Sequence, residues 1–150
     1  MKLFGAMEIE SNELCIGGIS CSDLVKEFGS PLYVMDENLL ISTCKSYYDN
    51  FKCKENHNRV AYAGKAFLTK AMCKLVNEQG LYLDVVSGGE LFTAYKAGFP
   101  LNKVYFHGNN KSRGEIELGV KLGVGRFVVD NLDEMKMLNE EAGKNNIKQD

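Results

Sequence analysis

A single lysine closes the short apolar, aromatic run Val60-Ala-Tyr-Ala-Gly-Lys65-Ala-Phe67. A helical pattern starts directly after it, at Leu68. At the carboxyl end of a buried strand an ammonium ion is disfavoured, because desolvation lowers its pKa. An amine tuned in this way is a nucleophile able to form a Schiff base with an aldehyde. The competing reading is a lysine that snorkels to solvent from a strand end.

Other polar residues fall at equivalent places. Asp84 interrupts the apolar run Leu81-Tyr-Leu-Asp-Val-Val86. A buried carboxylate needs a partner, either a loop amide or a ligand near Lys65. Ser87-Gly-Gly leads into a helix, whose first amides form either an ordinary cap or a cradle for an anion. His107 ends a further apolar run and is followed by Gly108-Asn109-Asn110-Lys111. It is read either as a structural residue or as a donor to a ligand. Asp130 ends the last such run. Lys111 and Arg113 are expected in solvent or near a helix start. Gly123-Val-Gly125 lacks dinucleotide-loop spacing and precedes a strand.

The elements that must position these residues follow from periodicity. Apolar runs begin near positions 31, 59, 81, 103 and 126. Between them lie helical stripes: Leu40, Cys44, Tyr47, Tyr48 and Phe51, with Asp36 as a possible cap; then Leu68, Ala71, Met72, Leu75 and Val76; then Leu91, Ala94 and Tyr95. Ile116, Gly119 and Val120 continue the pattern after a start at Ser112, and Leu132, Met135, Leu138 and Ala142 end it. This alternation predicts an α/β fold with a parallel sheet covered by helices. Ligands of such sheets sit at the carboxyl ends of the strands, where Lys65, Asp84, Ser87, His107, Asn109 and Asp130 all fall. Five βα units are too few to close an eight-stranded barrel, and the chain stops where a sixth strand is expected. Met7 to Ile19, with Gly17-Gly18, reads as a strand outside this series. A short helix follows at 24–28, capped by Ser22 or Asp23 and ended by Gly29.

Composition narrows the class. The chain has 150 residues, 45% hydrophobic and 25% charged, as in ordinary globular proteins. A net charge of −2 gives no reason to expect nucleic acid or an anionic membrane as partner. Five cysteines without paired spacing read as free thiols of a reducing, cytoplasmic setting. Two histidines, His57 and His107, leave no histidine-rich metal cluster. The first ten residues lack the continuous apolar core of a signal peptide or membrane span.

Taken as an ordered set, Gly29-Ser-Pro-Leu-Tyr-Val34, Tyr62-Ala-Gly-Lys65-Ala-Phe67, Leu83-Asp84-Val-Val-Ser87-Gly-Gly-Glu90-Leu91 and Phe106-His-Gly-Asn-Asn-Lys111 closely resemble the diaminopimelate decarboxylase family. The resemblance runs from about Leu14 to the end. It implies an alanine-racemase-like pyridoxal-phosphate enzyme: a (β/α)8 barrel plus a β domain that takes in a short amino-terminal segment. On that pattern residues 1–29 contribute to the β domain, and 30–150 form the amino-terminal part of the barrel.

By the same resemblance Lys65 is the Schiff-base lysine, and Asp84, Ser87 and His107 line the cofactor pocket. The implied reaction is loss of carbon dioxide from the D-centre of meso-diaminopimelate to give L-lysine, in a cytoplasmic homodimer. Family members are much longer. They carry a later ring-stacking histidine, a glycine-rich phosphate loop, a glutamate at the pyridine nitrogen, and a carboxyl-terminal cysteine and tyrosine region. The 150-residue chain alone is therefore expected to bind cofactor weakly and not to turn over. The alternatives are an ornithine/arginine-type relative, or a non-catalytic pyridoxal-phosphate carrier or inert half-barrel.

Overall fold

The structure is a computed structural model and describes residues 2–52 and 58–150. His57 and Cys53 lie outside the described residues. The chain forms two compact units, Met1–Tyr47 and Tyr48–Asp150.

In the first unit, three strands form an antiparallel meander: β1 (Met7–Glu10), β2 (Glu13–Ile16) and β3 (Ile19–Ser20). This corrects the expectation of a single strand from Met7 to Ile19. The turns explain the difference. Ser11 and Asn12 have φ of 48° and 67°, and Gly17 and Gly18 have 58° and 79°. Two consecutive positive φ values make the tight hairpin turn that matches strand twist, and Gly-Gly and Asn are residues that tolerate it.

Helix α1 (Cys21–Phe28) starts one turn earlier than expected, because Ser20 is its cap: the Ser22 amide donates to Ser20 Oγ at 3.1 Å. The Leu39 amide donates to Asp36 Oδ1 at 2.9 Å and starts α2 (Glu37–Asn50), as the sequence suggested. Pro31–Met35, expected as the first barrel strand, forms no ladder among the described residues. Apolar composition gives a segment the capacity to be a strand, but ladder hydrogen bonds decide, and Pro31 has no N–H to offer one.

The second unit is a four-stranded parallel sheet in the order β4 (Ala61–Ala63), β5 (Tyr82–Val85), β6 (Val104–Phe106), β7 (Arg126–Phe127). Helices α3 (Lys70–Glu78), α4 (Gly88–Lys96), α5 (Arg113–Leu122) and α6 (Leu132–Lys144) alternate with the strands. Four of the five expected strands and all the helices of the βα series are therefore present, in the expected order.

Side chains alternate across the sheet. Leu83, Val85, Val104 and Phe106 are at most 1% exposed and form the core with helix residues such as Val76, Leu91 and Ile116. Gly119 on α5 permits the close approach of this layer, since a Cβ there would lie 2.5 Å from the Phe127 ring. Tyr82, Asp84, Tyr105 and Arg126 share the opposite face by register and alternation. Beyond α6, the Phe127 amide donates to the Asp150 main-chain oxygen at 2.9 Å, so the chain after α6 returns to the free edge of β7.

Candidate functional site

Because β4 to β7 are parallel, the loops that follow them lie at one edge of the sheet. Lys65 sits there, on a single turn of 3-10 helix, Gly64–Ala66, directly after β4. Two features shape that turn. The Tyr62 hydroxyl donates to the Phe67 carbonyl at 2.8 Å, which closes the segment around Lys65. Gly64 is buried against β5, where a Cβ would lie 3.1 Å from the Asp84 carbonyl oxygen. A larger residue would push the lysine turn away from β5. Both residues belong to the motif that drew attention to Lys65.

Lys65 itself is exposed. The desolvation argued from its place after an apolar run is not supplied by these residues. The run buries its glycine, while the lysine leaves the sheet on the turn. A reactive amine here depends on what covers this edge.

Asp84 lies on β5, level with Ala63 and with Tyr105. Its Oδ2 is 3.7 Å from His107 Nδ1. That distance is a charge contact that forms when the imidazole is protonated, longer than a hydrogen bond. The two side chains are 25% and 53% exposed, so the pair borders open space rather than the core. The His107 amide donates to the Val85 carbonyl at 2.8 Å, which extends the β5–β6 ladder to the residue. The structure thus brings Asp84 and His107 together, one strand over from the lysine turn. Asn109 and Asp130 are exposed in the loops of the same edge.

Ser87 has a different task. Its Oγ accepts from the Glu90 amide at 3.3 Å and caps α4. The amides that would receive an anion are already engaged by carboxylates. Val86 donates to Glu90 Oε2 at 2.8 Å, and Gly88 donates to Glu115 Oε1 at 2.7 Å. Ser112 donates to Glu115 Oε2 at 2.9 Å, and Asp130 donates to Glu134 Oε2 at 3.4 Å.

The same device therefore recurs on α4, α5 and α6: a capping Ser or Asn, then a glutamate three residues on that reaches back to the loop. Each helix dipole meets a carboxylate from its own first turn. The hydrogen bonds from Ser112 and Gly88 hold the Glu115 carboxyl below its ordinary pKa. Glutamates occupy these three helix starts, which leaves little to attract a phosphate. The spacing Ser87-x-x-Glu90, Ser112-x-x-Glu115 and Asn131-x-x-Glu134 was legible in the sequence as a capping signature.

Lys111 directly precedes the Ser112 cap of α5, one of the two places expected for it. It is buried, not solvated, and its Nζ is 2.8 Å from Glu134 Oε1. Its partner lies in another βα unit, so no local pattern announced it. Among the described residues no cluster of histidine, cysteine and acidic side chains has the arrangement of a metal site. No helix among them is long and apolar enough to cross a membrane.

The parallel α/β sheet carries a lysine turn and an acid–imidazole pair at its carboxyl edge, the edge at which proteins of this class hold their ligands. Comparison with known proteins gives the family. The model for the pyridoxal-dependent decarboxylase pyridoxal-binding domain matches residues 38–148, and the chain belongs to that family.

The chain is 45% identical over 139 residues to the diaminopimelate decarboxylase of Bacillus methanolicus, covering 93% of this chain and 32% of that protein. It is 48% identical over 123 residues to the diaminopimelate decarboxylase of Halalkalibacterium halodurans, covering 82% and 28%. Among solved structures it superposes on the diaminopimelate decarboxylase of M. jannaschii in co-complex with L-lysine, with a TM-score of 0.85 and 36% identity over 94% of this chain and 33% of that one. The lysine/ornithine decarboxylase of Vibrio vulnificus, at 23% identity and a TM-score of 0.69, shares the fold. The chain thus spans a minor part of each relative.

Proposed function

We propose that the chain is the amino-terminal, lysine-bearing part of a pyridoxal-phosphate-dependent decarboxylase that converts meso-diaminopimelate to L-lysine and carbon dioxide. The observation that carries this is the place of Lys65: on a turn fixed by Tyr62 and Gly64 after β4, at the same sheet edge as Asp84 on β5 and His107 after β6. The similarity to diaminopimelate decarboxylases over most of the chain supports the choice of substrate.

The residues fit part of the cofactor. Lys65 offers the amine that holds its aldehyde carbon. Asp84 and His107 offer a carboxylate and an imidazole beside it. The phosphate finds no comparable site at α4, α5 or α6, where glutamates hold the loop amides. The phosphate anchor therefore comes from elsewhere in the whole protein, and the 150-residue chain alone binds the cofactor weakly and does not turn over.

When bound, pyridoxal phosphate supplies the sink for the electron pair left by departing carbon dioxide. Lys65 would hold it through its amine, and the same amine is the chain's candidate for moving a proton at this edge. Asp84 lies against His107 Nδ1, so the other ring nitrogen, Nε2, would be the one to meet a ligand. Ser87 holds the start of α4, so its part in the pocket is to fix the loop behind Asp84.

In the whole protein residues 1–29 join a β domain and 30–150 the barrel, in a cytoplasmic homodimer. Decarboxylation by the full-length gene product tests the reading. Carbon dioxide release from meso-diaminopimelate, abolished by Lys65→Ala, is the expected result. Release from ornithine or arginine but not from meso-diaminopimelate would overturn the substrate. Activity that survives Lys65→Ala would overturn the mechanism.

A further inference from the structure

The chemistry above makes no use of Lys111, yet its side chain is 1% exposed and that of Glu134 is 3% exposed. Its ammonium donates to two main-chain carbonyls and is ion-paired with one carboxylate oxygen. Glu134 Oε1 is at 2.8 Å, and Nζ donates to the Gly108 carbonyl at 2.5 Å and the Val128 carbonyl at 3.0 Å. The Phe106 ring lies beneath it, with its centroid 5.8 Å from Nζ.

These acceptors belong to three separate segments at the carboxyl edge. Gly108 opens the loop after β6, Val128 follows β7, and Glu134 is in the first turn of α6. Each segment borders a candidate residue: Gly108 follows His107, and Val128 and Glu134 flank the loop with Asp130. The main chain is tight here as well. Gly108 has φ of +110°, and a Cβ on it would lie 2.9 Å from the Val86 carbonyl oxygen. The Val128 amide donates to the Phe106 carbonyl at 2.9 Å.

An apolar residue in place of Lys111 would take the donor from two carbonyls and leave the buried Glu134 carboxylate without its counter-charge. Arginine, a flat fork, cannot point three donors at acceptors that converge on one atom.

We propose that Lys111 is a positioning residue: its caged ammonium locks the loop from His107 to Asn110 onto the end of β7 and the start of α6, and so fixes where His107 stands relative to Asp84. The catalytic consequence rests on the function proposed above. The lock does not, and its test reads the lock directly.

The test is amide hydrogen exchange, with and without low denaturant, on this chain and on the double variant Lys111→Met/Glu134→Leu. Removing both charges avoids a lone buried carboxylate, and the exchange of the β5 amides checks that the sheet is retained. In the double variant the amides of β5 should exchange as in the parent. Those of His107 and Val128 should exchange at least ~10-fold faster, because their loops then open locally. Rates at His107 and Val128 within about twofold of the parent would overturn the proposal, since the pair would then only fill space.

The parent chain gives a second reading that needs no variant. A locked loop exchanges at His107 and Val128 only with the cooperative opening of β5, so both rates respond to denaturant as β5 does. Exchange at these two amides that is insensitive to denaturant in the parent would also overturn the proposal.

Discussion

Replacing Glu115 by alanine tests whether carboxylates, rather than ligands, hold the helix starts at the carboxyl edge. Glu115 accepts from Gly88 N at 2.7 Å, Ser112 N at 2.9 Å and Ser112 Oγ at 2.8 Å. The contact with Gly88 is partly buried and joins α5 to the start of α4, and a hydrogen bond to a charged group of this kind contributes about 1.5–2 kcal/mol. The Ser112 contacts are exposed and complete a capping box that contributes about 1 kcal/mol. The sum is a loss of about 2.5–3 kcal/mol at pH 7.

The pH dependence follows from the lowered pKa of Glu115 in the folded chain. A carboxyl whose folded value is depressed stabilises fully above its unfolded value, near 4.3, and loses that contribution as pH falls through the folded value. Urea denaturation followed by circular dichroism should therefore show a gap of about 2.5–3 kcal/mol between parent and Glu115→Ala at pH 7 that narrows below about pH 4. Glu115→Gln keeps an acceptor without the charge and should fall between the two. A gap unchanged from pH 7 to pH 3, or a Gln variant as stable as the parent, would refute the reasoning.

Other predictions test the core and its joints. Phe106→Ala empties a position with no exposure and should cost about 3–5 kcal/mol in the same denaturation assay. Gly125→Ala places a Cβ 2.1 Å from the Asn102 carbonyl oxygen, main chain against main chain, and should lower the thermal midpoint by an overpacking cost of about 3 kcal/mol. Burial pushes the thiols of Cys73 and Cys44 up, whereas Cys21 is only half-buried. Among the described cysteines, a thiol reagent at pH 8 should label Cys21 first and reach Cys73 only on unfolding, as peptide mapping would reveal.

The order of the βα units was legible because their signals are local. The apolar stripes of α3 to α6 and the runs around Leu83, Val104 and Phe127 need no knowledge of distant partners. So was the edge at which chemistry gathers, since a parallel sheet brings the strand ends together. Three features escaped for separate physical reasons. The meander at β1 to β3 depends on positive φ at Ser11-Asn12, a turn whose residue types are common in loops. Pro31–Met35 has the composition of a strand, and composition does not reveal whether a neighbour supplies the ladder. Lys111 looks like a surface charge until Glu134, from another helix, is seen beside it. The reverse error concerns Lys65, where an apolar run suggested burial and the 3-10 turn carries the side chain into the open.

That exposed lysine is where the account is most directly tested. The full-length gene product is incubated with pyridoxal phosphate, reduced with borohydride and digested, and the phosphopyridoxyl peptide is mapped. The account predicts label concentrated on the peptide that contains Lys65, and its loss from that peptide in Lys65→Ala. Label spread evenly over the other exposed lysines, with no preference for Lys65, would contradict it.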